Sequence, residues 1–125
     1  MIYPTPSELQ VLNILWELQE ANTQTVNTRL NLQRQVGYTT TLKTMQVMVE
    51  KGLLDRRKEG KSHIYFPLIQ ESIAKGNLLT KFVENTFGGS ASNLMMQLLG
   101  NKNVSQEELI QIKTFLKEIK DKNHG

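Results

Sequence analysis

The sequence contains no cysteine, one tryptophan and only two histidines in 125 residues. The absence of cysteine excludes disulfide bonds, thiolate metal sites and cysteine nucleophiles. His63 and His124 do not form the helical pair that binds metals, so no metal site is recognisable. Glycine-rich phosphate loops and the G-x-S-x-G nucleophile motif are absent as well. We therefore expect no enzyme and no cofactor, and a small hydrolase serves only as a negative control.

The sequence also lacks a long hydrophobic run and a basic leader segment. We therefore expect neither a membrane span nor a signal peptide, and we expect a cytoplasmic protein that does not insert into membranes. Hydrophobic residues make up 38% of the chain and aromatic residues 6%, which gives a lean core. Chains this small and lean often complete their core by pairing with a second copy.

Acidic residues are scarce in the segment 27–66, which has eight Lys or Arg side chains and three Asp or Glu. Residues 1–26 carry three acids and no Lys or Arg, and residues 67–125 are almost balanced. The net charge of +3 is thus concentrated in one segment, which favours a phosphate-rich partner and salt-sensitive binding. An anionic membrane surface fits less well, because no strongly basic amphipathic helix accompanies this segment.

That segment begins with a predicted helix from about Thr39 to Lys51, which Gly52 ends. Apolar side chains recur on one side at helical spacing, and we expect this stripe to be buried. Its members are Tyr38, Leu42, Met45, Met48 and Val49. The opposite side can contact base edges or phosphates, and a solvated surface is the alternative. The candidate DNA-binding residues on that side are Thr39, Thr40, Lys43, Thr44, Gln46 and Val47.

A basic β-hairpin is predicted next, with runs at 53–58 and 61–66 around Glu59-Gly60. A helix followed by a basic hairpin is the organisation of a winged helix-turn-helix, in which the wing holds the DNA backbone. The alternative is a solvated turn that blunts a sheet edge. Arg57 also lies near the tip, and the candidate DNA-binding residues of the wing are Arg56, Lys58, Lys61 and His63.

Two helices precede this unit. Thr5-Pro6-Ser7-Glu8 predicts a helix start with a capping box, and Trp16 is expected to anchor the core. A second helix, capped by Thr23 or Thr25, follows. The predicted fold class is therefore mainly α. An N-terminal winged helix-turn-helix, with three helices plus a β-hairpin wing, covers residues 1–68, and a three-helix C-terminal dimerisation subdomain covers 69–125.

The C-terminal helices carry more apolar residues than lone surface helices need. Each buried leucine-sized side chain is worth about 1.5–3 kcal/mol, and a DNA reader with one recognition helix per chain gains from pairing. We therefore expect a homodimer, with packing within the monomer as the alternative. The candidate interface residues are Leu79, Phe82, Phe87, Leu94, Met95, Leu98, Leu99, Leu109, Ile112 and Leu116.

Six segments carry a resemblance to a known family: TPSELQVLNILWE at 5–17, GYTTTLKTM at 37–45, EKGLL at 50–54, EGKSHIYFPL at 59–68, FGGSASNLMMQLL at 87–99 and SQEEL at 105–109. In this order they resemble the penicillinase repressor family, which includes methicillin-resistance and copper-responsive repressors. The resemblance implies a homodimeric repressor that binds a palindromic operator in double-stranded DNA. It places Thr40, Thr41, Lys43 and Thr44 in the operator-contacting segment and Lys61 at a basic wing position, although the periodicity turns Thr41 towards the core.

The chain departs from the family pattern in three places. Val47 and Met48 stand where the family often has an arginine, which leaves the base preference open. The cysteine-rich tail of the copper-responsive members is missing, which argues against copper sensing. In β-lactam-responsive members a membrane sensor protease system leads to cleavage of an Asn-Phe bond, and the aligned pair here is Gln97-Leu98. Whether cleavage relieves repression is therefore left open. The alternative to a DNA-binding repressor is a winged-helix module that binds protein instead of DNA.

Overall fold

The computed structural model describes residues 3–101 and 104–124, without the side chains of 115, 116 and 118–124. Within these ranges the chain is mainly helical, with six helices and one two-stranded antiparallel hairpin. The order is α1 (Pro6–Leu18), α2 (Thr23–Leu30), α3 (Tyr38–Glu50), β1 (Leu54–Glu59), β2 (Ser62–Pro67), α4 (Glu71–Phe87), α5 (Ala91–Leu99) and α6 (Gln106–His124). None of these helices is both long enough and apolar enough to cross a membrane.

The chain divides into two compact units, Met1–Lys75 and Gly76–Gly125. The predicted boundary between residues 68 and 69 concerns the extent of the DNA-binding domain and stays a prediction. The first unit contains the three helices and the hairpin expected of a winged helix-turn-helix. The predicted fold class is confirmed.

Local chemistry determines where α1 and α2 begin. The Thr5 hydroxyl accepts the Glu8 N–H at 3.2 Å, and the Glu8 carboxylate accepts the Thr5 N–H at 2.9 Å. This is the predicted capping box, with Pro6 at the first helical position. For α2 the prediction was wrong by one residue or more, because Asn22 is the cap and its side chain accepts the Thr25 N–H at 2.8 Å.

Helix α3 ends as predicted but its buried stripe differs from the prediction. Gly52 follows the helix with a φ of +82°, and the Leu53 N–H reaches back to the Met48 carbonyl at 3.0 Å. This arrangement satisfies the free carbonyls at the helix end. The buried residues of α3 are Thr41, Met45 and Met48, whereas Tyr38 is 46% exposed. The periodicity prediction for Tyr38 was wrong, because a hydrogen-bonded threonine occupies the first core position.

The wing is a tight hairpin. Lys58 pairs with His63 and Glu59 pairs with Ser62, so that only Gly60 and Lys61 form the loop. Gly60 has a φ of +63°, a conformation that L side chains rarely adopt. An isolated bridge also ties β2 to the segment before α2, since the backbones of Ala21 and Tyr65 exchange hydrogen bonds of 3.0 and 2.9 Å.

The core of the first unit lies between α1, α2, α3 and the base of the hairpin. Its buried hydrophobic side chains are Val11, Leu12, Leu15, Ala21, Val26, Leu30, Met45, Met48, Leu53, Leu54 and Tyr65. Trp16 packs against this core as predicted, and its indole N–H donates to the Ile69 carbonyl at 2.9 Å. The segment after the wing is thereby fastened to α1.

The second unit buries few of its described hydrophobic side chains. Helix α4 ends at Phe87, before Gly88-Gly89, and the Ser90 side chain caps α5 by accepting the Asn93 N–H at 3.1 Å. Among its described hydrophobic side chains only Val83 and Leu94 are buried. Apolar side chains of α4, α5 and α6 are therefore left at the surface of the monomer.

Candidate nucleic-acid interface

The outward side of α3 carries most of the predicted helix contacts. Thr44 and Val47 are half-buried at its edge, and the Thr44 hydroxyl donates to the Thr40 carbonyl at 3.0 Å. That internal bond leaves the Thr44 side chain in a fixed rotamer relative to the helix. The exposed members are Thr39, Thr40, Lys43 and Gln46.

Thr41 lies on the opposite side of α3. Its side chain is only 1% exposed, and its hydroxyl accepts a hydrogen bond of 2.8 Å from the Asn27 amide. A side chain enclosed in this way cannot reach a base edge. We therefore leave Thr41 out of the proposed contact surface.

The wing places its predicted contacts on one face. Side chains alternate along a strand, so Arg56 and Lys58 lie on the same face of β1, and Arg57 points to the other. The cross-strand partners of Arg56 and Lys58 are Tyr65 and His63, which share that face. The Arg56 guanidinium lies 3.5 Å from the Tyr65 hydroxyl. Lys61 occupies the turn.

A groove of about 380 Å³ lies between α3 and the wing. It brings together four predicted residues from two elements, Gln46, Arg56, Lys61 and His63. Its other lining residues were not predicted as site residues. They are Asn22, Thr23 and Gln24 at the start of α2, Tyr38 and Leu42 on α3, and Ser62 and Tyr65 on β2.

Sequence reasoning missed those lining residues for two reasons. The spacing places Tyr38 and Leu42 in the predicted buried stripe, and the polar start of α2 is predicted only as a cap, at Thr23 or Thr25. The polar residues at the start of α2 are a signal that the sequence does contain, because such residues can donate to phosphates as well as cap a helix.

A second groove, of about 370 Å³, runs along the other flank of α3 beside the start of α1. Its lining combines Thr5, Ser7 and Glu8 with predicted contacts of α3, namely Thr39, Thr40, Lys43, Thr44 and Val47. Lys58 lines neither groove. Helix α3 thus forms a ridge between two grooves.

The one carboxylate that lines this second groove, Glu8, is ionised and paired with a lysine. Burial would raise the pKa of Glu8, but hydrogen bonds from Lys51 and from the Thr5 N–H outweigh burial and hold that pKa below its ordinary value. The Lys51 ammonium lies 2.8 and 3.1 Å from the two carboxylate oxygens. Glu8 is therefore a paired structural anion and does not leave the groove with net negative charge.

Ion pairing separates the Lys and Arg side chains of the first unit into two groups, apart from Arg34, which donates to the Gln10 side-chain oxygen at 2.8 Å. Arg29 and Lys51 bond to Glu17 and Glu8, and Arg57 bonds to Glu20, which lowers the pKa of Glu20 and raises that of Arg57. In the described part of the chain no carboxylate lies within ion-pair distance of the four cations on α3 and the near face of the wing. These are Lys43, Arg56, Lys58 and Lys61, and we call them the unpaired cations.

The predicted dimer residues lie in the second unit. Phe82 and Leu99 are 48% and 57% exposed, and Leu94 is 8% exposed. Phe82 and Phe87 pack edge to face with ring centroids 5.6 Å apart. The half-buried members are Leu79, Phe87, Met95, Leu98, Leu109 and Ile112, and the side chain of Leu116 lies outside the described residues.

Three helices and a wing, with an exposed polar side on the third helix, define a winged helix-turn-helix protein. The chain matches the family described as penicillinase repressor over residues 4–118. It is 24% identical over 110 residues to the methicillin resistance regulatory protein MecI of Mammaliicoccus sciuri, with 88% of this chain and 89% of that protein covered. It is 27% identical over 117 residues to the penicillinase repressor of Bacillus licheniformis, with 93% and 91% covered. The chain belongs to the penicillinase repressor family, whose members are DNA-binding transcriptional repressors and not enzymes.

Proposed function

We propose that this protein is a homodimeric repressor that binds a palindromic operator in double-stranded DNA through α3 and the wing. The observation that carries the proposal is the placement of the unpaired cations. Arg29, Lys51 and Arg57 form ion pairs with carboxylates, whereas the unpaired cations lie on α3 and on the near face and turn of the wing, where we propose that the DNA backbone lies. A repressor acts where the chromosome is, which places it in the cytoplasm.

The two grooves beside α3 support a docking geometry. A recognition helix in the major groove has one phosphate backbone on each flank. On the wing flank Arg56 and Lys61 can neutralise phosphates, and on the other flank Lys43 and the threonine hydroxyls can donate to them. On the ridge itself Gln46 can bond an adenine edge, and Val47 can contact a thymine methyl group.

Binding to genomic DNA fragments is the direct test. We would read the binding on a gel at two salt concentrations and expect discrete shifts at a palindrome that weaken as salt rises. No shift at low salt would refute the proposal and would favour a winged-helix module that binds protein.

Lys43→Ala tests the ridge within the same assay. We expect it to weaken operator binding by about 1–3 kcal/mol if Lys43 reads a base, without unfolding the protein. Thr44→Ala should also weaken binding. Lys113→Ala is the control, because it removes the same charge from an exposed position on α6. Equal affinity of both α3 variants and the wild type would remove α3 from the interface.

The exposed apolar side chains of the second unit support the homodimer. Met96 and Leu99 on α5 and Ile110 on α6 are 69%, 57% and 64% exposed, which is unfavourable in water unless a partner covers them. We expect the full chain to sediment as a dimer and Leu99→Glu to shift it towards monomer. Leu32→Glu is the matched control, since Leu32 is 79% exposed but lies in the first unit. A monomeric wild-type protein at operator-binding concentrations would contradict the dimer.

We also propose that cleavage between Gln97 and Leu98, through a membrane sensor protease system, relieves repression. Gln97 is exposed and Leu98 half-buried near the end of α5. Cleavage there separates α6 from the first unit, so the two DNA-binding units lose their linkage. A chain that ends at Gln97 should therefore be monomeric and bind the operator weakly. A truncated chain that dimerises and binds with full affinity would remove cleavage from the proposal.

A further inference from the structure

We propose that Asn27 is a positioning residue that sets the rotation of α3 through Thr41 and thereby determines sequence discrimination. This inference rests on the proposed function, because it concerns how the same helix reads DNA. Neither Asn27 nor Thr41 touches DNA in this proposal. Their effect on recognition passes through the position of the exposed side chains of α3.

The Asn27 amide bridges two parts of the helix-turn-helix. Its nitrogen donates to the Val36 carbonyl at 3.1 Å and to the Thr41 hydroxyl at 2.8 Å. In the described chain the second bond is the one side-chain hydrogen bond that joins α2 directly to α3. A single amide thus holds both the last part of the turn and the first turn of the recognition helix.

Asn31, four residues after Asn27, also holds this turn. Its side chain accepts the Val36 N–H at 3.1 Å and donates to the carbonyls of Val36 and Asn27 at 2.9 and 2.8 Å. Both backbone polar groups of Val36 are therefore occupied by asparagine side chains. The turn is held in one conformation before α3 begins.

The start of α3 has little else to orient it. Gly37 is the cap residue and supplies no side-chain cap bond, and Tyr38 is 46% exposed. The first core contact of α3 is therefore Thr41, a polar side chain whose hydroxyl binds Asn27. Neighbouring residues on a helix differ by about 100° in direction, so the position of Thr41 fixes where Thr40 and Lys43 point.

This arrangement separates discrimination from simple attraction to DNA. Attraction depends on the unpaired cations and their distance to phosphates, which small rotations of α3 change little. Base readout depends on hydrogen bonds with narrow geometry, which such rotations disrupt. Loss of the Asn27–Thr41 bond should therefore affect operator binding more than binding to unrelated DNA.

The test compares the full-length wild type, Thr41→Val and Thr41→Ser. The probes are a genomic fragment that the wild type shifts and a scrambled duplex of the same length and composition. Valine removes the hydroxyl at nearly constant volume, and serine keeps it. We expect Thr41→Val to weaken binding to the fragment by roughly 3–10-fold, with binding to the scrambled duplex changed by less than about twofold. Thr41→Ser should retain most of the discrimination.

Two further variants keep the test decisive. Asn27→Ala should reduce discrimination at least as much, and adding Thr41→Val to it should have little further effect, because Asn27→Ala already removes the bond to Thr41. Trp16→Phe loses a different side-chain hydrogen bond of the first unit and should leave discrimination unchanged. Unchanged discrimination in Thr41→Val, or an equal loss in Trp16→Phe, would overturn the positioning role. A wild-type protein without sequence preference would instead overturn the proposed function itself.

Discussion

The ion pair between Glu8 and Lys51 joins the first turn of α1 to the end of α3, and Glu8→Gln isolates its charge. Glutamine is also accepted at this capping-box position, so the bond to the Thr5 N–H can persist. The substitution therefore replaces a charged acceptor by a neutral one at nearly constant shape. We expect it to lower the free energy of unfolding of the first unit.

The magnitude follows from the exposure of the two partners. A hydrogen bond to a charged group contributes about 1.5–3 kcal/mol, whereas exposed ion pairs contribute about 0–1 kcal/mol. The Glu8 side chain is 5% exposed and the Lys51 side chain 37% exposed, so this pair lies between these cases. We expect a loss of about 1–2 kcal/mol near pH 7, which lowers the urea midpoint by roughly 0.5–1 M.

The pH dependence of the loss provides a second criterion. The pKa of Glu8 is lowered in the folded protein, so the unfolded chain binds more protons between the folded value and the ordinary value of 4.5. The stabilisation by this ion pair is therefore complete above about pH 4.5 and disappears as the pH falls through the lowered pKa of Glu8. The difference between wild type and Glu8→Gln should be constant from pH 6 to 8 and should shrink in acid.

The assay is urea unfolding, followed by tryptophan emission and circular dichroism at several pH values. Glu17→Gln is the matched control on the same helix, because Glu17 is 64% exposed in its pair with Arg29 and should contribute less than about 1 kcal/mol. Equal stability of Glu8→Gln and wild type at pH 7 would refute the reasoning. So would a difference that stays constant down to pH 3.

Two further predictions concern the wing. Lys61→Ala should weaken operator binding and reduce the salt slope by roughly one unit, whereas Arg57→Gln should leave the slope unchanged, because Arg57 already bonds Glu20 on the other face. Titrations at four salt concentrations distinguish these results, and equal slopes in both variants would contradict the assigned faces. Gly60→Ala should cost about 1–2 kcal/mol, because alanine disfavours a φ of +63° even where space is open. Gly37→Ala, also in open space and without a positive φ, should cost less than Gly60→Ala in the same urea assay, because it meets only the poorer capping of alanine at the start of α3.

The parts of the fold that depend on neighbouring residues could be predicted from the sequence. The capping box from Thr5 to Glu8 spans four residues, and the end of α3 depends on Gly52 and the carbonyls just before it. The hairpin follows from two strand-forming runs around one glycine. In each case the interacting groups are close in the chain, so their spacing carries the information.

The remaining features depend on contacts between residues that are distant in the chain. The periodicity of α3 turns Thr41 towards the core, but Asn27 lies 14 residues earlier in the chain, so no local pattern identifies the hydrogen bond between them. The pair of Glu8 and Lys51 spans 43 residues, so no local rule identifies it. Arg57 differs from the unpaired cations of the wing because it bonds Glu20, which lies 37 residues earlier in the chain and outside the hairpin.

The hydrogen bond from Trp16 to Ile69 makes the protein its own fluorescent reporter. Trp16 is the only tryptophan, and the Lys75 ammonium lies 5.6 Å from its ring centre. The indole therefore contacts two residues of the segment that leaves the wing and enters α4. Undocking of that segment would expose the indole to water and remove a nearby cation, and both changes alter its emission. Release of the chain between wing and α4 can thus be followed by intrinsic fluorescence, without any attached dye.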